Sequence, residues 1–377
     1  MEDYSRRTLS RVPVPGRETA RRAVLRARRL RYPRLDRYAP VSTLELPRTA
    51  VAAAAVPAVD VHNHLGRWLH RAGGWMAPDV PALLADMDAL NLAAVVNLDG
   101  RWGAELEANL DRYDRAHPGR FATFCHVDWG LLAGPDAGDR LAASLRESVA
   151  AGARGLKVWK DLGRDRTDAA GRRVLPDDPV LDQLWETAGE LGVPVLIHVG
   201  DPSAFFRPAN RHNERLEELL RSPRSSWARP GLPTLERLRD ALLTAVGRHP
   251  RTAWIAAHVA SCAEDLAAVG RWLDEHPNLH VDVAARVGDL GRQPRAAAAL
   301  VTSHPDRVLF GTDVFPLRPE EVRIYLRFLE TADEGFAYST AEVPPAGRWT
   351  ASGLALPADA LRAVYRDNAL RLVPGLT

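Results

Sequence analysis

The strongest constraint on the fold is an alternation of short apolar runs with longer amphipathic segments, repeated eight times after residue 57. The short runs are rich in valine, isoleucine, leucine and alanine, which is typical of parallel strands buried on both faces. The predicted strands are Ala58–His62, Ala93–Leu98, Phe121–Val127, Gly155–Trp159, Val193–His198, Ala253–His258, Leu279–Ala284 and Arg307–Phe310.

The segments between these runs show helical periodicity, and several end at a glycine directly before the next strand. The clearest predicted helices are Pro81–Asn91, Arg140–Ala151, Pro179–Leu191, Leu235–His249 and Cys262–Glu275. Eight strand–helix units in roughly 320 residues favour a closed barrel over an open doubly wound sheet. The sequence therefore predicts an α/β protein with a (β/α)8 TIM barrel. No glycine-rich dinucleotide-binding motif opens a helix, which excludes the commonest function of open sheets.

Two kinds of segment depart from this pattern: a basic N-terminal extension and two long loops. Residues 1–50 contain thirteen arginines and five acidic residues, whereas the whole chain has a formal charge of only +2. We predict a basic extension over residues 1–50 and a barrel over residues 51–377. The loops after the fifth and eighth strands, residues 200–234 and 315–357, are long enough to form lids or pocket walls.

An arginine-rich arm can bind nucleic acid or an anionic membrane. No aromatic interleaving or groove-entering helix motif accompanies these arginines, so we expect an arm that lies on an acidic body and does not bind nucleic acid. The longest uncharged apolar stretch, Thr49–Val59, is about half of the roughly 20 residues that a membrane helix requires. Two cysteines, Cys125 and Cys262, exclude a disulfide framework and a four-thiolate metal site. We expect a cytoplasmic protein without membrane contact.

Metal-binding residue types stand at the carboxyl ends of four predicted strands. They are His62 and His64 in VDVHNHLG after the first strand, His198 after the fifth, His258 after the sixth and Asp313 in VLFGTDVFP after the eighth. Strand side chains alternate, so His62 and His64 leave the same face, and all carboxyl ends of barrel strands meet at one rim. Imidazole with carboxylate suits zinc and similar divalent ions, so a metal site is predicted. Four other histidines precede prolines at the opposite rim: His117, His249, His276 and His304.

Lysine is almost absent from the chain. Lysine and arginine together number 50, and only Lys157 and Lys160 are lysines. Lysine can lose its proton, form an imine or be carboxylated, so its retention at the fourth strand indicates lysine-specific chemistry, with chance survival on the surface as the alternative. We expect Lys157 to face the barrel interior near the metal, as a carbamate or as a cation that holds an anionic substrate. Lys160 is expected to pair with Asp161 or with an acid of the next loop.

Three further residues are candidates for substrate binding. Arg286 follows the seventh strand at the same rim and is suited to binding a carboxylate with both arms of its guanidinium. A loop ion pair of Arg286 with Asp289 or Asp282 is the alternative. Phe205, in the long loop after the fifth strand, and Trp102, after the second strand, are expected to wall the pocket.

The ordered set of HxH, His, His and Asp resembles the amidohydrolase superfamily of metal-dependent barrels. It is most similar to the amidohydrolase family 2 branch, which includes aminocarboxymuconate-semialdehyde decarboxylase. The resemblance runs from about residue 57 to residue 373 and leaves the extension out. It implies that His62, His64, His198 and Asp313 bind a divalent metal, usually zinc, with His258 as a further ligand or as a donor to the reacting oxygen.

The resemblance also implies a catalytic scheme. Asp313 would take the proton of a metal-activated water and pass it to the leaving group, and His258 would stabilise the oxyanion. In binuclear members a carboxylated lysine on the fourth strand bridges two metals, and Lys157 occupies that position, so one ion or two stays open.

The implied function is hydrolysis of an amide, lactone or ester bond in a small-molecule substrate by a homodimeric enzyme. A metal-dependent decarboxylase, a carbon–carbon lyase acting on an aromatic or semialdehyde acid, is the alternative. A regulatory protein with an inactive barrel and a DNA-binding arm is the third reading, and it predicts strongly salt-dependent DNA binding and no metal.

Overall fold

The computed structural model describes residues 16–31, 38 and 40–377. The rest of the predicted extension lies outside the described residues, and its boundary at residue 50 stays a prediction. The chain divides after Glu45 into two units, residues 1–45 and 46–377. In the first unit a helix spans Arg17–Arg31, which we did not predict. Arginine, alanine and leucine are strong helix formers, so this segment is helical by propensity.

Eight strands form the centre of the second unit. They are β1 (Ala58–Asn63), β2 (Leu92–Asn97), β3 (Phe121–Thr123), β4 (Leu156–Val158), β5 (Val195–Ile197), β6 (Trp254–Ala256), β7 (Leu279–Asp282) and β8 (Val308–Leu309). Strands β1–β3 and β4–β8 form two sheets in sequence order, and neighbouring strands pair in parallel. All eight predicted strands are confirmed, with ends that differ by a few residues.

Backbone hydrogen bonds close the two sheets into one barrel. Between β3 and β4, the N–H of Cys125 donates to the carbonyl of Gly155 at 2.8 Å, and the N–H of Lys157 donates to the carbonyl of Cys125 at 2.7 Å. Between β8 and β1, the N–H of Val61 donates to the carbonyl of Phe310 at 3.0 Å. Closure removes the open edges of both sheets, and the predicted TIM barrel is confirmed.

Helices surround the barrel. In the second unit, those of six or more residues are Val80–Ala89, Gly103–Leu110, Ala137–Ala151, Asp182–Glu190, Leu216–Arg221, Leu235–Arg248, Leu266–Glu275, Pro294–Ser303 and Pro319–Glu330. A last helix covers residues 358–372 and includes a π-helical turn at Ala363–Asp367. The side chains of Asp79, Thr234 and Asp265 accept N–H hydrogen bonds from the first turns of three helices, which fixes where these helices begin.

Two layers of buried side chains stabilise the barrel. The inner layer comes from the strands and from the C-terminal helix, with Val59, Val96, Leu196, Ile255, Leu309 and Val373 among its members. The outer layer lies between strands and helices and includes the fully buried Trp185 and Trp254, whose ring centroids are 5.1 Å apart. Apolar residues thus fill the barrel, and polar residues collect at the carboxyl ends of the strands.

A β-bulge near the end of β1 changes which way its last residues point. Asp60 and Asn63 are three positions apart, whereas their partners in β2 are two apart, so β1 holds one extra residue. The buried carboxylate of Asp60 accepts hydrogen bonds from the N–H groups of His62, at 3.1 Å, and Thr312, at 2.9 Å. Burial raises the pKa of Asp60 to about 6. The extra residue lets His62 face the barrel interior even though Val61, next to it, belongs to the inner apolar layer.

None of the helices in the described part of the chain is both long and apolar enough to cross a membrane. Cys125 and Cys262 are free thiols, and both are buried. Their burial agrees with their place in the apolar layer around the strands.

Candidate metal centre

Four imidazoles meet at the carboxyl ends of the strands. The ring centroid of His62 lies 5.8 Å from that of His64 and 4.7 Å from that of His258, and the ring of His198 lies 4.4 Å from that of His258. All four side chains are buried. The structure therefore brings to one place the four histidines that the sequence distributes over β1, β5 and β6.

Hydrogen bonds to carboxylates fix the two histidines of the HxH motif. Nδ1 of His62 lies 2.8 Å from Oδ2 of Asp282, and Nδ1 of His64 lies 2.6 Å from Oδ1 of Asp99. A carboxylate only accepts, so Nδ1 of each ring carries the proton and donates it. Nε2 of each ring then carries the lone pair, which is how neighbouring carboxylates prepare histidines to bind a metal.

The backbone fixes His258 in the same way. Its Nδ1 donates to the carbonyl of Ala284 at 2.9 Å, and its N–H donates to Oδ1 of Asp282 at 2.8 Å. Residues 258–261 all have φ between 48° and 59°, in the left-handed region that side-chain-bearing residues rarely adopt. Such strain clusters at functional sites, and here it is held by the buried carboxylate of Asp282.

Burial favours the neutral form of three of these imidazoles. It lowers the pKa of His62, His198 and His258 well below their usual value of 6.5. Nε2 of His198 is buried and has no hydrogen-bond partner among the described residues, and it lies 3.9 Å from Oδ1 of Asp201. Neutral imidazole is the form that binds metals, so these rings are ready to act as ligands.

Asp313 completes the group. Its Oδ1 lies 3.6 Å from Nε2 of His64 and 3.9 Å from Nε2 of His62, and burial raises its pKa. Zinc bonds of about 2.0–2.1 Å in tetrahedral geometry place ligand atoms roughly 3.4 Å apart, close to these separations. A second trio, His62, His258 and Asp282, also has ligand atoms within 4.8 Å of one another. In this trio, Oδ2 of Asp282 accepts a hydrogen bond from Nδ1 of His62 and so lies on the side of the ring away from Nε2. Asp282 therefore orients the ring of His62 and does not share a metal with its Nε2.

Lys157 lies inside the barrel with this group. It is 1% exposed, and its Nζ is 3.4 Å from Nε2 of His62. Burial lowers the pKa of Lys157 to about 8, whereas the charges of Asp313 and Asp282 raise it. A larger fraction of this side chain is therefore the neutral amine at neutral pH than for an exposed lysine.

Arg286 lines a cavity of about 230 Å³ that also includes Asp313. Phe205 and Trp102 do not line this cavity. Phe205 is buried in the loop after β5, where its carbonyl accepts from the N–H of Trp227 at 2.8 Å. Trp102 is partly buried, and the guanidinium of the preceding arginine lies 4.2 Å above its ring. The substrate roles of Phe205 and Trp102 stay predictions.

A family model described as amidohydrolase matches residues 59–375. The chain belongs to the amidohydrolase family. This confirms the resemblance inferred from the ordered HxH, His, His and Asp motifs. The match covers the barrel and, like the resemblance, leaves the basic extension out.

Solved structures show the same barrel as this amidohydrolase. A 2,6-dihydroxybenzoate decarboxylase from Rhizobium is similar with a TM-score of 0.52 and 16% identity, over 84% of this chain and 98% of that chain. An uncharacterised TIM-barrel protein from Bordetella bronchiseptica is similar with a TM-score of 0.52 and 13% identity, over 84% of this chain and 97% of that chain. At these identities the similarity establishes the fold. None of the curated proteins matches the sequence.

Two carboxylates of the amidohydrolase site were not predicted as site residues. Asp282 and Asp99 are fully buried and hold the rings of His62 and His64. Each sits at or just after the end of a strand at the rim that carries the histidines. An acidic residue in a buried strand is the signal for Asp282, because a buried carboxylate needs a partner.

A partly buried ion pair anchors the long loop after β5. Nζ of Lys160 donates to both carboxylate oxygens of Asp201, at 2.7 and 3.0 Å, and Nε1 of Trp227 donates to Oδ2 of Asp201 at 2.7 Å. Phe206 stacks on Trp227 with ring centroids 5.1 Å apart. Lys160 thus pairs with an acid of the next loop, and this acid was one of the two partners predicted for it. Through Trp227, Asp201 also joins the start of that loop to its far end.

We expect Lys160→Met to release this loop. Without the ammonium group the carboxylate of Asp201 stays largely buried beside a single donor, Trp227, and a buried acceptor that loses a partner costs about 2 kcal/mol. Trypsin can cut this loop after the arginines that no proline follows, namely Arg211, Arg215, Arg221 and Arg224. Cleavage within the loop, followed by mass spectrometry, should be at least about tenfold faster than in the wild type.

Lys160→Arg is the matched control, since it keeps the positive charge and donors for Asp201, and it should stay close to wild-type resistance. If the methionine variant resists trypsin as well as the wild type does, the ion pair does not hold the loop.

Proposed function

We propose that this amidohydrolase is a metal-dependent hydrolase that cleaves an amide, lactone or ester bond of a small molecule. The observation that supports this most is the pairing of Nδ1 of His62 and His64 with buried carboxylates. It leaves both Nε2 lone pairs within 3.9 Å of Oδ1 of Asp313. A purely structural histidine has no physical need to turn its Nε2 lone pair toward a second imidazole and a carboxylate in this way.

The donor set fits a divalent ion of the zinc type, because neutral imidazole nitrogens and a carboxylate are its preferred protein ligands. We propose His62, His64, His198 and Asp313 as ligands. A bound zinc ion would supply a hydroxide-like water at neutral pH and polarise a carbonyl group. Carboxylation of Lys157 would add the bridge that a second ion requires; as an ammonium group, Lys157 would instead hold an anionic substrate.

His258 is better suited to be a ligand than a hydrogen-bond donor to the reacting oxygen. Its Nδ1 proton is committed to the carbonyl of Ala284, which can only accept. Burial lowers the pKa of His258 well below 6.5, so Nε2 carries no proton to donate. We therefore assign His258 to the metal-binding set, in place of the oxyanion role that the family resemblance left open.

Asp313 is the residue we propose as the proton acceptor and donor of the reaction. Its side chain is 21% exposed, so one of its oxygens can meet a water in the cavity while the other faces His64. A carboxylate oxygen that meets this water is placed to take its proton, as general acid–base catalysis requires. Arg286 lines the same cavity, and we propose it as a substrate-binding residue. Phe205 and Trp102 lie outside the lining of this cavity, and their place at the outer pocket walls stays a prediction.

A substrate screen with the zinc-loaded enzyme tests this function. We expect hydrolysis of at least one member of a panel of small lactones, amides and esters, with one water consumed per bond cleaved. Activity should disappear with a chelator and return with zinc. Release of carbon dioxide from aromatic or semialdehyde acids, with no hydrolysis in the panel, would replace the hydrolase by the decarboxylase alternative.

We further propose that the enzyme acts in the cytoplasm as a homodimer. Two buried, unpaired thiols are typical of a protein that stays in a reducing compartment.

A further inference from the structure

The cavity at Asp313 is walled by the loops after β5, β7 and β8. Arg215 comes from the loop after β5, Arg286 and Asp289 follow β7, and Tyr338 belongs to the loop after β8. The cavity volume of about 230 Å³ suits a molecule the size of a small aromatic or aliphatic acid. Substrate atoms placed here lie next to the carboxylate of Asp313.

Arg286 is almost buried and has unused hydrogen-bond donors. It is 7% exposed, and its Nη1 donates to the carbonyl of Ala285 at 2.8 Å. In the part of the chain that the structure describes, Nε and Nη2 of Arg286 have no hydrogen-bond partner, and Arg286 lines the cavity. A guanidinium with free donors at a cavity wall presents the geometry that a carboxylate accepts.

The charge of Arg286 is compensated only weakly by the protein. Its Nη1 lies 3.9 Å from Oδ2 of Asp289, which is beyond hydrogen-bond distance. The other oxygen of Asp289 accepts from Nη2 of Arg215 at 2.5 Å, and Arg215 also donates to Glu218 at 2.9 Å. Asp289 therefore makes its close ion pair with Arg215 and only a distant one with Arg286. A nearly buried guanidinium whose carboxylate partner is 3.9 Å away and hydrogen-bonded to another arginine is incompletely compensated, which favours the approach of an anion from outside.

We propose that Arg286 forms an anion subsite for a carboxylate of the substrate, so that the enzyme acts on small carboxylic acids. The inference rests on the proposed function, and it adds the substrate class. Asp289 and Arg215 form an ion pair in the wall of the same cavity, and Asp289 belongs to the turn that carries Arg286. When a divalent cation occupies the neighbouring ligands, it offsets the charge of Asp313, and the need of Arg286 for an anion increases.

Benzoate and benzamide form a matched pair of probes, because they share size and ring and differ in charge. Isothermal titration of the zinc-loaded protein should show benzoate bound at least about tenfold more tightly than benzamide. Arg286→Met should weaken benzoate binding at least about tenfold and change the affinity for benzamide less than twofold. Arg286→Lys keeps the positive charge but not the paired N–H donors of the guanidinium, so its benzoate affinity should lie between those of the wild type and the methionine variant. Arg295→Met, at an exposed arginine outside the cavity, controls for net charge.

Benzoate affinity that is unchanged in both Arg286 variants would overturn the subsite, since the anion would then be held elsewhere, such as at the metal. The lysine variant keeps the test decisive if the methionine variant does not fold. Metal content is measured on the same samples. A metal-free protein with benzoate binding that depends on Arg286 would contradict the proposed function alone, whereas a metal-loaded protein without that dependence would contradict the subsite alone.

Discussion

Replacing His62 by alanine should reduce bound metal to background and abolish turnover. Loss of an outer residue that only orients a metal ligand costs 10- to 100-fold in affinity or activity, so loss of the ligand itself should exceed about 100-fold. His62 is also the ring held by Asp282, in contact with His258 and close to Lys157. Elemental analysis and activity on any substrate identified in the screen measure both effects.

His304→Ala is the matched control for this prediction. His304 is bonded to the carbonyl of Leu300 and to Asp274, and it lies at the opposite rim of the barrel. We expect its replacement to leave metal content and turnover near wild type. Wild-type turnover in the His62 variant, with folding verified by circular dichroism, would remove the basis of the proposed metal site.

Replacing Asp313 by asparagine should lower kcat by about 10²- to 10⁴-fold, the range attributed to general acid–base catalysis. The amide keeps the size of the side chain but cannot accept a proton at neutral pH. Because metal affinity should also fall, the assay is run at saturating zinc, and the metal content of the assayed protein is measured.

Asp306→Asn controls for the loss of one acidic group. Asp306 is exposed and paired with its neighbour Arg307, so the change should leave kcat unaffected. A fully metal-loaded Asp313→Asn enzyme with wild-type kcat would assign the proton transfer to another group. A kcat that is low at limiting zinc and equal to the wild-type value at saturating zinc would show that Asp313 acts only as a ligand.

The positions of the strands could be predicted from the sequence because the barrel buries both faces of each strand. A short, continuous apolar run between two helical segments, such as that of β5, is compatible with few structures other than a strand buried on both faces. The rim was predictable for the same reason: once the strands are parallel, residues that follow them, such as His198 and Asp313, meet at one end.

The hydrogen bonds that tune the site could not be predicted, because they join residues far apart in sequence. His62 and Asp282 are 220 positions apart, and the choice of Asp282 over another acid depends on the order of strands around the closed barrel. The bulge at Asp60 and the left-handed turn at residues 258–261 break the periodicities on which sequence reasoning depends. Arg286 was a candidate from its place after β7, but its weak pairing follows from the contact of Asp289 with Arg215.

We propose that distant strands hold one divalent ion between His62, His64 and Asp313. The most direct test is X-ray diffraction from crystals of the zinc-loaded protein, with data collected on both sides of the zinc absorption edge. We predict an anomalous peak about 2.0–2.2 Å from Nε2 of His62, Nε2 of His64 and a carboxylate oxygen of Asp313. A peak elsewhere in the molecule, or no peak at this position in zinc-saturated crystals, would contradict the account.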